Sequence, residues 1–123
     1  MEKELTKAEE QIMQAVWKVG KGFAKDILEA LPDPKPAYST VTTVIRVLVQ
    51  KGFLDYETYG KSNQYAPTIS KEEYSNQRLD AVKISYFGGS NVEMLSFFMR
   101  KNKMNLEDLE EVMRVIKSTE DEH

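Results

Sequence analysis

The chain has 123 residues, 41% of them apolar and 30% charged, and a net charge of −3, which suits one compact domain or one domain plus a short helical appendage and excludes wholesale disorder. It has no cysteine and its one histidine is His123, so a disulfide framework, a thiolate or histidine metal site and a Ser-His-Asp triad are excluded. No run approaches the roughly 18 apolar residues of a membrane span and the N-terminus is charged rather than secretory, which predicts a soluble, cytoplasmic protein with no membrane partner.

Thr6-Lys7-Ala8-Glu9 fits a capping box, in which the Thr6 hydroxyl and Glu9 carboxylate satisfy backbone amides at a helix start. The helix carries Ile12, Met13, Val16 and Trp17 on one face and stops at Gly20. Gly22-Phe23 reads as a small strand. Lys25 to Leu31, with Ile27, Leu28 and Leu31, reads as a second short helix. Pro32, Pro34 and Pro36 forbid its continuation and make a stiff turn.

The segment from Tyr38 to Tyr65 is the most informative. Val41, Val44, Ile45 and Leu48 recur at i, i+3, i+4 and i+7, one apolar helical stripe. Alternation at period two fails across Val41 to Ile45, so helix wins over strand despite the β-branched residues. Ser39, Thr42, Thr43, Arg46 and Gln50 fall on the other side. No acid occurs from Pro34 to Leu54, whereas Lys35, Arg46 and Lys51 do. Carboxylates facing phosphates would repel, so this is the face a DNA-binding helix needs. After a Lys51-Gly52 stop, Phe53 to Tyr59 and Gln64 to Pro67 read as a hairpin around a Gly60-Lys61-Ser62-Asn63 turn, with Lys61 at the tip. A helix of this size fits the major groove, and a neighbouring hairpin reaches flanking phosphates.

Residues 1–69 hold nine basic and nine acidic side chains, and residues 70–123 hold eight and eleven. The shift near Pro67-Thr68-Ile69-Ser70 predicts a DNA-binding domain over 1–69 and a helical dimerisation domain over 70–123. Ser70-Lys71-Glu72-Glu73 opens a helix through Leu79, Val82 and Tyr86, ended by Gly88-Gly89. Asn91 caps a second with Val92, Leu95, Phe98 and Met99. Asn105 starts a third with Leu106, Leu109, Met113 and Ile116 on one stripe. None is long enough to be stable alone. Their apolar faces predict burial against a second copy, through Leu79, Val82, Tyr86, Leu95, Phe98, Leu106, Leu109, Met113 and Ile116. The predicted fold class is mainly α with a small β-hairpin: a winged helix-turn-helix followed by a three-helix dimerisation module.

The pattern L-T-K-A-E-E-Q-I-M-Q-A-V-W-K over 5–18, with Y-S-T-V-T-T-V-I-R-V-L-V-Q-K-G-F-L over 38–54, N-Q-Y-A-P over 63–67 and Y-F-G-G-S over 86–90, resembles the penicillinase and methicillin-resistance repressors (BlaI/MecI). That family has copper-responsive cousins (CopY). The resemblance spans nearly the whole chain. It implies a homodimeric transcriptional repressor on an inverted-repeat operator of double-stranded DNA. The third helix would enter the major groove, the wing would lie along the backbone and the C-terminal helices would interlock. By position, Tyr38, Thr40 and Thr43 resemble backbone-contacting residues, and Ser39, Thr42 and Arg46 occupy the base-facing turns. Ser39 and Thr42 stand where better-known members carry basic side chains, which implies a different operator and weaker ionic affinity.

The copper-responsive cousins carry a C-terminal cysteine cluster that this chain lacks, so neither metal nor cofactor is expected. Members induced by β-lactams are cut at an Asn-Phe bond; the matching bond here is Ser96-Phe97. The resemblance thus implies release by proteolysis and, as a partner, a membrane-anchored sensor protease.

Two other non-enzymatic readings compete. One is a ligand-responsive winged-helix regulator with a pocket lined by Phe87, Phe97, Phe98 and Met99; the other is a winged helix used for protein contacts. For an enzyme there is no paired-carboxylate, nucleophile–base or phosphate-loop pattern, since Gly20-Lys21-Gly22 and Gly88-Gly89 lack the supporting context. Glu9-Glu10 and Glu110-Glu111 are expected as solvated helix-surface acids.

Overall fold

The computed structural model describes residues 4–121, so His123 lies outside the described part. The element order is α1 (Lys7–Val19), β1 (Gly22–Phe23), α2 (Ala24–Glu29), α3 (Tyr38–Gln50), β2 (Leu54–Tyr59), β3 (Ser62–Pro67), α4 (Lys71–Phe87), α5 (Asn91–Lys101) and α6 (Leu106–Asp121). This is a winged helix-turn-helix followed by helices. The chain divides into two compact units, one ending at Gln77 and one beginning at Arg78, inside α4.

In the first unit the capping box forms as its residue types require. Glu9 N donates to Thr6 Oγ1 at 3.2 Å, and Thr6 N donates to Glu9 Oε1 at 2.9 Å. Gly20 ends α1 with φ of 86°, a conformation that costs glycine little. The Gly22-Phe23 strand is real and pairs antiparallel with β3, giving a three-stranded sheet in the order β1-β3-β2. The wing turn is tighter than expected. Tyr59 pairs with Ser62, so the turn is Gly60-Lys61 alone and Ser62 and Asn63 belong to β3. Positive φ is confined to Gly60, at the first central position, which matches a two-residue II′ hairpin.

The core of this unit is made by the helical stripes. Met13, Val16, Ile27, Val41, Ile45, Leu48 and Leu54 are all but fully buried. Each such side chain contributes about 1.5–3 kcal/mol. Trp17 is only partly buried and donates its indole N–H to the Ile69 carbonyl at 2.9 Å. Tyr74, in the first turn of α4, packs its ring 5.9 Å from both Trp17 and Phe53 and accepts from Leu5 N at 3.3 Å. That packing extends the first unit beyond the composition shift at Pro67–Ser70.

In the second unit Gly88 and Gly89 both have positive φ and separate α4 from α5. The cap of α5 is Ser90 rather than Asn91: Ser90 Oγ accepts from Glu93 N at 3.1 Å, and Asn91 is the first helical residue. Asn105 caps α6, its Oδ1 accepting from Asp108 N at 2.9 Å, while Asp108 Oδ2 accepts from Asn105 N at 3.0 Å. From Arg78 onward no residue whose burial is described is buried. Leu79, Tyr86, Leu95, Phe98, Leu106, Met113 and Ile116 are exposed, and Val82 and Leu109 half-buried.

Candidate nucleic-acid interface

Helix α3 buries Val41, Ile45 and Leu48 and half-buries Val44, so its opposite side must face outward. Tyr38, Ser39, Thr40, Thr43 and Arg46 are exposed and Thr42 is half-buried. Ser39, Thr42 and Arg46 stand at i, i+3 and i+7 and share a column. Thr42 and Tyr38 line a cleft of about 540 Å³ between the start of α3 and the wing. Its other walls are Phe23, Ala24, Lys25, Tyr59, Lys61, Ser62, Asn63 and Tyr65. The two lysines are exposed and the Phe23 and Tyr59 rings meet edge to face at 6.3 Å. Lys61, the expected tip contact, thus shares a cleft with α3.

Sequence reasoning missed Lys25, Phe23, Tyr59, Ser62 and Asn63. They are brought to Tyr38 and Thr42 by the β1–β3 pairing and the tight turn, neither of which has a strong local signal. Such a cleft offers two cations and several hydroxyl or amide groups to a phosphate, and aromatic edges to a sugar.

The electrostatics are thinner than a residue count suggests. Lys35 Nζ donates to the Glu29 and Leu31 carbonyls at 3.0 and 2.6 Å, near the end of α2. Lys51 pairs with Glu9 at 2.7 Å. Of the three cations in the acid-free segment, two are therefore engaged inside the protein, and Arg46 stands outward. The pairing also corrects the expectation for Glu9. It is buried, not solvated; Glu10, Glu110 and Glu111 are exposed as expected. Burial alone would raise the Glu9 pKa, but its bonds to Lys51 and Thr6 together outweigh burial and hold it below the ordinary 4.5.

The wing strand β2 does carry acids. Asp55 and Glu57 alternate with Tyr56 and Thr58, so they lie on the sheet face opposite Tyr65 and its core contacts. Tyr59 Oη donates to Glu57 Oε2 at 2.9 Å, and that bond raises the phenol pKa.

The penicillinase repressor family model matches residues 5–118. The chain belongs to the penicillinase repressor family. This is a family of DNA-binding repressors, not of enzymes. Among similar proteins, the methicillin resistance regulatory protein MecI of Staphylococcus aureus (strain N315) is 27% identical over 116 residues, 92% of this chain and 93% of that one. An uncharacterized 16.5 kDa protein from the ptsI 3′ region of Latilactobacillus sakei is 36% identical over 72 residues, 57% of this chain. The match covers 49% of that relative, about half its length. The solution structure of the DNA-binding domain of the repressor BlaI aligns with a TM-score of 0.51 at 25% identity, covering 60% of this chain and 94% of that domain. No described helix is long and apolar enough to cross a membrane. Among the described residues no group of three His, Cys, Asp or Glu is placed to hold a metal.

Proposed function

We propose that this repressor acts as a homodimer on an inverted-repeat operator, with α3 in the major groove and the wing along the backbone. The observation that carries this reading is the acid-free outward side of α3, joined by the Lys25–Lys61 cleft to the wing. Ser39, Thr42 and Arg46 face bases, while Tyr38, Thr40, Thr43 and Lys61 hold the backbone. Leu79, Val82, Tyr86, Leu95, Phe98, Leu106, Leu109, Met113 and Ile116 meet a second copy. An anisotropy titration of the full chain on random duplexes and on duplexes enriched from a random library tests it. Enriched duplexes should bind far more tightly, and both affinities should fall with salt. Equal affinity for both would overturn operator recognition.

Release is proposed to follow proteolysis at Ser96–Phe97 by a membrane-anchored sensor protease. Ser96 is half-buried and the Phe97 ring lies 5.4 Å from Phe87, beside the Gly88-Gly89 break. The bond sits inside α5, so cutting requires local opening. Induced cells should contain a repressor shortened to Ser96, and Phe97→Ala should resist the cut. Persistence of the full-length chain while its target genes are expressed would exclude this route.

One observation favours a second reading, a ligand-responsive regulator. An apolar groove of about 750 Å³ in the second unit is lined by Leu79, Val82, Tyr86, Phe87, Met94, Leu95, Phe97, Phe98 and Lys101. Phe87, Phe97 and Phe98 line it as expected; Met99 is not among its walls. Loss of operator binding on adding a small apolar molecule to the purified chain would select this reading.

A further inference from the structure

Thr42 is the middle member of the Ser39–Thr42–Arg46 column and borders the cleft that holds Lys61. Its hydroxyl donates to the Ser39 carbonyl at 3.0 Å, and Thr43 donates to the same carbonyl at 2.8 Å. A threonine hydroxyl carries a single hydrogen. With that hydrogen bound inside the helix, Thr42 has no donor for the N7 or O6 acceptors of a purine. Oγ1 and the Cγ2 methyl occupy different staggered positions on Cβ, so the methyl cannot also lie against the Ser39 carbonyl. In this rotamer Thr42 offers a methyl and an acceptor oxygen rather than a proton.

The major-groove group that a methyl complements is the 5-methyl of thymine. We infer that Thr42 is a specificity-determining residue that packs its methyl on a thymine 5-methyl near the base met by Arg46, whose forked donors fit guanine. Arg46 lies four residues on, about 6 Å along the helix. Donor and apolar surface thus come from different turns, and the half-site joins a guanine to a thymine at short fixed spacing. The inference rests on the reading of α3 as the groove-bound helix.

The test begins with a duplex enriched by the full chain from a random-sequence library. That duplex is resynthesised with deoxyuridine in place of each thymidine in turn, which deletes one methyl and no hydrogen bond. One thymine per half-site should matter, with affinity falling about fourfold, the equivalent of one buried methyl. In Thr42→Ser the two bases should become equal. In Thr42→Val the thymine preference should persist, because the methyls remain. Circular dichroism melts check that both variants fold. No thymine effect with the unaltered chain, or one that survives in Thr42→Ser, would overturn the inference while leaving DNA binding intact. Failure to enrich any duplex would overturn the reading of α3, and the inference with it.

Discussion

α3 and α6 are both amphipathic helices, yet they end in opposite situations. Val41, Ile45 and Leu48 on α3 are buried against α1, α2 and the sheet, while Leu106, Met113 and Ile116 on α6 stand exposed. The same contrast separates the two units. Every buried residue described lies between Leu5 and Tyr74. An apolar stripe states which face a helix must cover; it does not state whether the cover comes from the same chain. In the first unit it does. In the second, a large part of the apolar surface is exposed, and exposed patches of this kind mark interaction sites.

The largest effect should come from removing the uncovered stripe. Deleting residues 105–123 should abolish the linkage between half-sites and lower operator affinity by about 10²–10⁴-fold. The melting of the first unit should be unchanged. A truncated chain that sediments as a dimer and binds equally well would break the comparison. Next in size is a cavity in the covered stripe. Leu48→Ala should cost about 2–5 kcal/mol in urea unfolding. Met113→Ala, measured at a concentration too low for association, should cost under about 0.5 kcal/mol.

Smaller still are the contacts of the outward side of α3. Arg46→Ala should lose about 1–3 kcal/mol per half-site on the enriched duplex and much less on random DNA. Thr40→Ala should weaken both alike, as a phosphate contact does. An Arg46→Ala variant with both affinities intact would place the helix elsewhere.

A pH-dependent effect concerns Glu9. Its folded pKa lies below the ordinary 4.5, so its stabilisation is complete above about pH 4.5 and fades as pH falls through the lower folded value. Glu9→Gln should therefore be less stable than the unaltered chain at neutral pH, by about 1 kcal/mol given the partly exposed Lys51. The gap should close in acid. Urea midpoints across pH 3–7 would show whether it does.

Local signals were legible in the residues and long-range ones were not. The Thr6–Glu9 capping box and the stripes of α1 and α3 follow from spacing alone, because a helix places i, i+3 and i+4 on one face. The Ser90 cap lay one residue from the expected Asn91, since both residue types cap well. The burial of Glu9 depends on Lys51, which is 42 residues away. Lys35 turns back onto backbone carbonyls at the end of α2 through a bend that no periodicity describes. The Lys25–Tyr59–Asn63 wall of the cleft needs the β1–β3 register, and a two-residue strand carries almost no pattern.

The engagement of Lys35 and Lys51 has a kinetic consequence. If Lys25 and Lys61 are the cations that meet phosphates, about two counterions leave per half-site, against about four had Lys35 and Lys51 also taken part. Ionic attraction is the part of DNA binding that ignores sequence. A chain that spends two of its cations on its own scaffold holds arbitrary chromosomal DNA less firmly. Fewer copies would then be sequestered there, dwell times on wrong sites would shorten, and the same number of molecules would search the genome faster.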